Sequence, residues 1–231
     1  MAWKTSTRSA RALGLAASLL LVAAAGAADV VLIEDWTKVA LGAKGVPDGW
    51  KGGQSWGFPK YDFTVMENSG HRVLHLRSDG DSSMISKEIT GKVNLKATPI
   101  LEWRWKVVTL PEGGDSRSKH TDDQAAQLYV VWPRFPQEFR SRIIGYIWDT
   151  RAPAGLVVKS EKTSTVTYVV VRSGAAELGK WLIERRNVVE DYKKIYDEAP
   201  DNPGGVSISI DSDDTNSSAE SFFGAIAFKR P

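Results

Sequence analysis

The sequence predicts an all-β protein, an antiparallel sandwich of two sheets of the jelly-roll kind with one short helix. Three observations lead to this fold. Within residues 100–108, ILEWRWKVV, apolar and charged side chains alternate, which is the period of a β-strand with one buried and one wet face. About ten other short segments rich in β-branched and aromatic residues are separated by turns containing Gly, Pro or Asn. Only residues 187–196 have the apolar spacing of a helix.

Residues 1–28 predict a secretory signal peptide. Three basic residues precede an apolar run, residues 13–25, and small residues suited to a signal peptidase follow it. The run is short for a membrane span, which needs roughly 20 residues, although an uncleaved anchor is the alternative. We expect cleavage near Ala27 or Ala28 and a periplasmic or extracellular protein without a membrane span.

The composition excludes several classes of protein. The chain of 231 residues has no Cys, which excludes disulfides, thiolate zinc sites, iron–sulfur clusters and a lipoprotein anchor. Loss of residues 1–28 removes three basic residues and no acidic ones, so the formal charge changes from +2 to −1. A nearly neutral domain without a basic cluster is a poor nucleic-acid binder, and we predict no nucleic-acid partner.

The predicted strands follow one another along residues 29–231, which we expect to form a single domain. Asn68 lies in the turn of an early hairpin, and the helix at 187–196 ends before Pro200. The predicted strands are residues 30–33, 62–66, 72–77, 82–89, 100–108, 124–132, 143–148, 165–172, 181–185, 206–210 and 222–228.

The predicted strand at 100–108 defines both the expected core and the expected polar surface. Trp103 and Trp105 share one face and need a deep apolar layer opposite, since each ring buries roughly 150–250 Å². Glu102, Arg104 and Lys106 lie on the other face. We interpret this polar face as the working surface, because an arginine held among acids can also bind a ligand hydroxyl or carboxylate. The alternative is a charge network that only neutralises itself in a partly buried sheet face.

Further polar residues are expected on the same surface. Within residues 206–210 the apolar side chains must point inward, so Ser207 and Ser209 are expected to point outward, followed by Asp211. Asp122 and Asp123 enter from the loop before the next strand. The candidate ligand-binding residues of the surface are therefore Glu102, Arg104, Asp122 and Asp123.

Tryptophans supply a second group of candidates. Most Trp side chains in a β-sandwich pack in the core or at its rim. Trp50 and Trp56, however, lie in a loop rich in Gly, Pro and Lys, and Trp148 ends a predicted strand. We therefore take Trp50, Trp56 and Trp148 as candidates for contact with a sugar ring or another flat ligand.

The acidic segment 211–215, DSDDT, allows three interpretations. A strand followed by DxDxT resembles the nucleophile motif of haloacid-dehalogenase-type phosphatases, but the context lacks the parallel sheet and downstream residues of that fold. An acidic turn that hydrogen-bonds its own backbone is the simplest interpretation. The third is a calcium site in which Asp211, Asp213 and Asp214 supply oxygens, since Ca²⁺ takes 6–8 of them. No other cofactor is predicted.

The sequence shows no motif that would support a catalytic centre with nucleophilic, nucleotide-binding or transition-metal chemistry. The sequence has no GxSxG, P-loop or dinucleotide-binding fingerprint. His71 and His75 share a strand face but lie roughly 13 Å apart, too far to bind one metal. Carboxylates such as Glu102, Asp122 and Asp149 could converge for glycoside hydrolysis, although their spacing does not show it.

Several motifs occur in a specific order along the chain. They are VLHL at 73–76, LEWRW at 101–105, DD at 122–123, YIWD at 146–149, GKW at 179–181, RNVV at 186–189, DSDDT at 211–215 and FGAI at 223–226. Together they resemble the secreted bacterial domain-of-unknown-function family 3047, from about Trp50 to Phe228. The resemblance implies an envelope β-sandwich and no established activity. The chain departs from the family pattern at Gln127, Asp214 and Ala225, where Arg, Asn and Asp are usual.

We predict an exported, non-catalytic module that binds a glycan or another envelope component, built on a galactose-binding or concanavalin-like sandwich. One alternative is a glycan-cleaving hydrolase or lyase that uses paired carboxylates. A structural envelope protein is a further alternative. A sandwich hosts all three, so the fold alone does not decide between them.

Overall fold

In the computed structural model of the chain, residues 1–2, 30–53 and 59–231 are described. The predicted signal peptide, apart from its first two residues, and Trp56 lie outside the described residues. The strands are β1 Val30–Glu34, β2 Lys51–Gly52, β3 Asp62–Asn68, β4 His71–Asp79, β5 Ser82–Glu88, β6 Ile100–Thr109, β7 Ala126–Trp132, β8 Arg142–Asp149, β9 Val157–Lys159, β10 Val166–Ser173, β11 Leu182–Asn187, β12 Gly205–Asp211 and β13 Ser218–Lys229. The helices are α1 Gln137–Arg140 and α2 Val188–Tyr196.

One sheet is built around β13, the longest strand, and is called the β13 sheet below. Its strand order is β11–β6–β13–β4–β3, all antiparallel. β4 pairs with residues 218–223 of β13, and β1 pairs with residues 226–229. Between these halves the register with β6 shifts at Gly224 and Ala225, which form a bulge. One long strand therefore joins both ends of this sheet.

The second sheet is built around β12 and is called the β12 sheet. Its order is β2–β5–β12–β7–β8–β10–β9. Every pair is antiparallel except β8 and β10, which run parallel. β9 takes the outer edge of the sheet, and β10 then inserts between β8 and β9, so it runs in the direction of β8. The expectation of purely antiparallel sheets is thus wrong for this one pair.

The chain passes repeatedly from one sheet to the other. β4 leads to β5, β5 to β6 and β6 to β7 across the sandwich, and β11, β12 and β13 alternate in the same way. These crossings are jelly-roll connections. The predicted two-sheet β-sandwich is confirmed.

The core between the sheets is an aromatic layer centred on β6. Trp103 and Trp105 are fully buried and meet edge to face with ring centroids 5.3 Å apart. From the opposite sheet, Tyr146 lies 5.3 Å from Trp103 and Trp148 lies 6.0 Å from Trp105. The alternation along β6 therefore buries one face, as the sequence predicts, and leaves Glu102 and its outward neighbours on the other.

Helix α2 follows the predicted spacing. Asn187 caps its first turn, where its side-chain oxygen accepts the backbone N–H groups of Val189 and Glu190. Asp197 ends the helix in the left-handed conformation with φ 55°. Tyr192, on the helix, is buried and packs 4.7 Å from Trp132 at the end of β7. The helix thus covers one end of the sandwich.

Three short elements were not predicted. β2 has two residues, β9 has three and α1 has four, so none is long enough for a period to show in the sequence. The chain therefore has a second helix beside the one expected. Among the described residues, no helix is both long and apolar enough to cross a membrane.

Candidate functional site

The polar faces that the sequence analysis joined into one surface lie on opposite sides of the sandwich. Trp103 points inward from the β13 sheet, and Ile208 points inward from the β12 sheet. Their outward neighbours, Arg104 on β6 and Ser207 on β12, are therefore separated by both sheets. The prediction of a single working surface is wrong, because period 2 assigns a side chain to the inside or the outside but not to a sheet.

The outer face of the β12 sheet holds a pocket of about 210 Å³, called the β12 pocket. Strands β5, β12, β7, β8 and β10 form its floor, and the loops before β7, after β9 and after β12 form its rim. Its lining residues are Ser82, Met84, Asp122, Gln127, Tyr129, Val131, Ile143, Lys162, Thr163, Val166, Tyr168, Ser207, Ser209, Asp211 and Asp213.

The pocket floor has an apolar part and a polar part. Met84, Val131, Ile143 and Val166 supply the apolar part. Each is the outward member of an alternating strand whose inward members lie in the core. The polar part is formed by outward hydroxyl, amide and carboxyl groups of the same strands and of the adjoining loops. A ligand with one apolar and one polar side would match this division.

Gly145 of β8 makes room for two aromatic rings in the pocket. A Cβ atom on this residue would lie 2.7 Å from Tyr129 and 3.0 Å from Tyr168. The rings of Tyr129 and Tyr168 therefore lie directly over the backbone of β8. Burial, the largest cause, raises the pKa of both hydroxyls, so both stay protonated and keep a hydrogen to donate.

A chain of hydrogen bonds fixes the polar part of the pocket. Tyr129 donates to Gln127 Oε1, Gln127 donates to Gln124 Oε1 at 2.7 Å, and Gln124 donates to Asp122 Oδ1 at 2.8 Å. Tyr168 donates to the other oxygen, Asp122 Oδ2, at 3.2 Å. The two tyrosines are thus joined through one carboxylate, and the polar wall is preorganised.

Asp122 is a nearly completely buried carboxyl group, 3% exposed. Burial raises its pKa from 3.8 to about 6, and the donors Gln124, Tyr168 and Ser160, together with the charge of Lys162, limit the rise. Ser160 Oγ donates to it at 3.3 Å and also accepts the backbone N–H groups of Lys162 and Thr163. Asp122 therefore connects the pocket to the loop that carries Lys162.

The acidic segment after β12 lies at the rim of the pocket. Asp123, fully buried, holds the turn in place. Its Oδ1 accepts the N–H of Asp214 at 3.1 Å, and its Oδ2 accepts both the N–H and the hydroxyl of Thr215, at 2.7 and 2.6 Å. Lys162 forms ion pairs with Asp214 and, at 4.0 Å, with Asp213. The segment is thus an acidic turn with a lysine as its counter-ion.

Asp211 and Asp213 influence each other's protonation. Burial raises the pKa of Asp211 well above its usual value, and the charges of Asp213 and Asp123 raise it further. Burial also raises the pKa of Asp213, with opposition from Lys162 and from a hydrogen bond between its carboxyl group and that of Asp211. Asp211 therefore carries a proton at pH values where an exposed aspartate has lost it, and can act as a donor in the pocket.

The carboxylates that converge are not quite the predicted calcium ligands. Oxygens of Asp123, Asp213 and Asp214 lie within 4.8 Å of one another, so Asp123 takes the place expected for Asp211. Both oxygens of Asp123 already accept hydrogen bonds, and the Lys162 ammonium group lies against Asp214. A calcium ion would have to displace Lys162, and the calcium site stays a prediction.

Two of the three candidate tryptophans are buried and do not offer a ring face to a ligand. Trp50 stacks on Trp36 at 5.6 Å and donates to Glu34 Oε2 at 2.9 Å. Trp148 is 1% exposed, packs on Trp105 and donates to Gly174 O at 3.1 Å. The expectation of ring stacking is wrong for both. The loop that carries Trp50 folds over the core, and Trp148 points into the core from β8. Trp56 lies outside the described residues.

The outer face of the β13 sheet carries Glu102 and Arg104. Glu102 pairs with Lys229 at 2.5 Å and with Arg185 at 3.7 Å. The Arg104 guanidinium lies over the ring of Trp181, 4.6 Å from its centre, and pairs with no carboxylate of a described residue. The alternative of a self-neutralising network around Arg104 is therefore wrong.

Sequence reasoning missed several residues of the β12 pocket, chiefly Tyr129, Lys162 and Tyr168. A signal for the tyrosines exists, because they are outward members of strands in which apolar residues predominate. Lys162 lies in a loop with no distinguishing pattern. Its place beside Asp214 follows from the path of β9 and β10, which the sequence did not predict.

A comparison with protein-family models places most of the chain in one family. Residues 48–227 match the family described as protein of unknown function (DUF3047). The chain belongs to this family. Two of the three positions at which the sequence analysis expects a departure from the family pattern lie at the site: Gln127 in the pocket wall and Asp214 in the acidic turn. Ala225 lies in the bulge of β13.

A comparison with solved structures finds similar β proteins at low identity. One is the family 11 carbohydrate-binding module of the cellulosomal cellulase Lic26A-Cel5E of Clostridium thermocellum, 8% identical, with a TM-score of 0.42 over 89% of this chain and 96% of that chain. A second is a carbohydrate-binding module for mannan recognition, TmCBM27, 12% identical, with a TM-score of 0.41 over 88% and 99%. The CBM22-1 xylan-binding domain of Paenibacillus barcinonensis Xyn10C is 13% identical, with a TM-score of 0.37 over 80% and 88%. No curated protein matches the DUF3047 chain.

Proposed function

We propose that this DUF3047 protein is an exported glycan-binding protein whose β12 pocket holds one sugar ring. The observation that carries the proposal is the division of the pocket floor into an apolar part around Ile143 and a preorganised polar part around Tyr168 and Asp211. A sugar ring has the same division, with C–H groups on its faces and hydroxyls around its edge. Small sites of this kind use a few fixed polar groups to orient a ligand on an apolar floor.

The size of the pocket supports a single ring. Pockets for drug-sized ligands measure roughly 300–1,000 Å³, and this one measures about 210 Å³. A terminal or side-branch residue of a glycan is therefore a better match than a long segment of its backbone.

The polar groups offer both donors and acceptors, as sugar hydroxyls require. The hydroxyl of Thr163 and the ammonium group of Lys162 can donate, and the carboxylate of Asp213 at the rim can accept. Asp122 contributes indirectly, because its oxygens already accept from Gln124, Ser160 and Tyr168. We infer that Asp122 holds the tyrosine in position rather than touching the ligand.

A glycan array tests the proposal with two variants of one residue. Ser82 is partly exposed on β5, opposite Asp211 of β12. Ser82→Trp fills the pocket and should weaken binding at least about tenfold, whereas Ser82→Ala should bind within about twofold of the wild type. Thermal melts of all three proteins check folding. Absence of binding by the wild type, or equal binding by a folded Ser82→Trp protein, would refute the proposal.

The second candidate is a glycan-cleaving enzyme. The observation in its favour is that Asp122 and Asp211, two carboxyl groups with raised pKa, line one pocket, as a general acid and its partner would. The occupied oxygens of Asp122 argue for binding alone. Release of reducing ends from a bound glycan by the wild type, lost in Asp211→Asn, would favour the enzyme.

Export is the remaining part of the proposal. The composition of residues 1–28 supports it. Mass spectrometry of the mature N-terminus should find cleavage near Ala27 or Ala28. Recovery of the protein from the membrane fraction with Met1 or Ala2 at its N-terminus would contradict export as a cleaved protein.

A further inference from the structure

The outer face of the β13 sheet carries an ordered cluster of aromatic and cationic side chains. The cluster, called the Trp181 surface, consists of Asn68, His75, Arg104, Lys106, Trp181 and Phe222. The Arg104 guanidinium lies 4.6 Å and the Lys106 ammonium 5.2 Å from the centre of the Trp181 ring. Lys106 also lies 4.2 Å from the ring centre of Phe222. Two cations therefore share one aromatic ring on a single face of the sheet.

The Trp181 ring is held in place by its neighbours. Its indole N–H donates to Asn68 Oδ1 at 3.0 Å, and Lys106 donates to the same oxygen at 3.0 Å. Phe222 meets the ring edge to face with centroids 6.2 Å apart. His75 stacks on the ring of Phe222, with centroids 4.3 Å apart. Trp181 remains partly exposed, so a ligand would meet a ring whose orientation is already set.

The cations of the Trp181 surface have no carboxylate partner among the described residues. Glu102, the nearest acidic residue along β6, is paired with Lys229 and Arg185. Glu220 is hydrogen-bonded to His75, with 2.8 Å between Oε1 and Nε2. The Arg104 guanidinium lies over Trp181 and pairs with no carboxylate of a described residue. Arg104 and Lys106 therefore place positive charge beside an aromatic ring without an ion-paired carboxylate among the described residues, and only Lys106 is attracted by the charge of a nearby acid, Glu220.

The electrostatic cost of this arrangement is visible at Lys106. Burial, the largest cause, lowers the pKa of Lys106. The charge of Glu220 raises it, and the charge of Arg104 lowers it by a smaller amount. Two like charges two residues apart on a strand face repel each other. A bound anion would relieve this repulsion.

We propose that the Trp181 surface binds carboxylated sugars, the uronic acid residues of an acidic polysaccharide. The sugar ring would lie against Trp181, and its carboxylate would be bound by Arg104 and Lys106. The planar fork of arginine matches a carboxylate with two parallel hydrogen bonds, and exposed Ile183, opposite Arg104 on β11, extends the apolar part of the surface. This site lies on the other side of the sandwich from the β12 pocket and does not depend on the function proposed for that pocket.

Binding to defined polymers tests the proposal. Polygalacturonate supplies carboxylated sugar rings, its fully methyl-esterified form supplies the same rings without charge, and dextran sulfate supplies charge without carboxylates. Affinity electrophoresis or calorimetry with the full mature chain should show binding to polygalacturonate, at least about tenfold weaker binding to the ester, and weaker binding to dextran sulfate. Affinity should fall as salt is added, because the site is partly exposed.

Matched variants identify the residues. Arg104→Gln and Trp181→Ala should each weaken polygalacturonate binding about tenfold, and Arg104→Gln with Lys106→Gln should abolish it. Arg185→Gln removes an exposed charge of the same strand face that is paired with Glu102, and should change affinity by less than about twofold. Ser82→Trp in the β12 pocket should leave this binding unchanged, which separates the two sites.

The first three results that would overturn the proposal concern the wild type and the arginine variants. They are no binding of the wild type to polygalacturonate, equal binding to dextran sulfate, and equal losses in Arg185→Gln and Arg104→Gln. Loss of polygalacturonate binding in a folded Ser82→Trp protein would place acidic sugars in the β12 pocket and would equally refute the site at Trp181. Thermal melts of each variant ensure that a loss reflects the surface and not unfolding.

Discussion

On the outer face of the β12 sheet, the charged side chains have hydrogen-bonding or oppositely charged partners, whereas on the outer face of the β13 sheet Arg104 pairs with no carboxylate of a described residue. Asp122 accepts from three side chains, and Lys162 pairs with the acidic turn. The Arg104 guanidinium lies over an aromatic ring. Both faces arise from the same alternation of polar and apolar residues, so the pattern of a strand does not tell whether its charges are compensated. The neighbours brought by other strands and loops decide that.

The largest expected difference in protein stability is between substitution of an aromatic residue inside the sandwich and substitution of one on its outer face. Trp103 is buried between the sheets against Trp105 and Tyr146. Trp103→Ala should lower the free energy of unfolding by about 3–5 kcal/mol, because the lost ring leaves a cavity. Trp181→Ala, on the outer face, should cost clearly less. Urea denaturation of both variants measures the difference, and equal losses would show that Trp103 is no more a core residue than Trp181.

The next largest effect concerns Asp122 and pH. Its pKa rises from 3.8 to about 6 on folding, so the folded state holds this proton more tightly than the unfolded state does. The fold therefore loses stability as pH rises from about 4 to about 6, and the loss is complete above that range. A shift of this size corresponds to about 3 kcal/mol.

Thermal melts between pH 4 and pH 7 of the wild type and of Asp122→Asn measure this effect. The variant removes the titrating group, so its stability should decline less over the range, even if its stability at pH 4 is lower. Carboxyl groups with lowered pKa, such as Glu34, act in the opposite direction but are present in both proteins. Parallel pH profiles would show that Asp122 titrates normally.

Substitution of two arginines compares a charge that is paired with a carboxylate with a charge that is not. Arg172 binds Glu184, which is 6% exposed, with nitrogen–oxygen distances of 2.7 and 3.1 Å. Arg172→Gln should cost about 2–3 kcal/mol, less than for a fully buried pair because Arg172 is itself partly exposed. Arg104→Gln should cost less than about 1 kcal/mol, since it leaves no carboxylate unpaired. A large loss of unfolding free energy in Arg104→Gln, measured by chemical denaturation, would show that Arg104 has a structural role.

Much of the fold was predictable because the period-2 pattern of a β-strand is visible within a short stretch of sequence. The alternation at 101–107 located both the core and the outer face of β6, and Asn187 with the spacing of Val188 and Tyr192 located helix α2. What the sequence did not show was which sheet each strand joins. The sheet that a strand joins depends on connections that cross the sandwich, such as the one from β11 to β12. Such a connection produces no periodic pattern in the sequence. For this reason residues placed on one predicted surface lie on two.

The candidate site was less predictable than the fold for a related reason. Asp122 and Asp211 were recognised as polar residues near strand ends, but their pocket is completed by Tyr168 and Lys162 from strands β9 and β10 and their connecting loop. The parallel pairing of β8 and β10 brings these residues there. Trp50 shows the converse, because a polar loop sequence did not reveal that the loop folds onto Trp36 and buries the ring.

The smallest expected effect concerns calcium at the acidic turn. In the wild type the Lys162 ammonium group already neutralises Asp213 and Asp214, so added Ca²⁺ or EDTA should shift the thermal midpoint by less than about 1 °C. Lys162→Met removes the ammonium group and leaves carboxylates that repel one another. This variant should be less stable than the wild type and should regain stability with millimolar Ca²⁺, since weak sites with few protein ligands work in that range. Mg²⁺ is the control, because it dehydrates reluctantly and demands octahedral geometry that this turn is not built to supply. A fall in the wild-type midpoint on addition of EDTA would mean that calcium, and not Lys162, is the cation that this turn has evolved to hold.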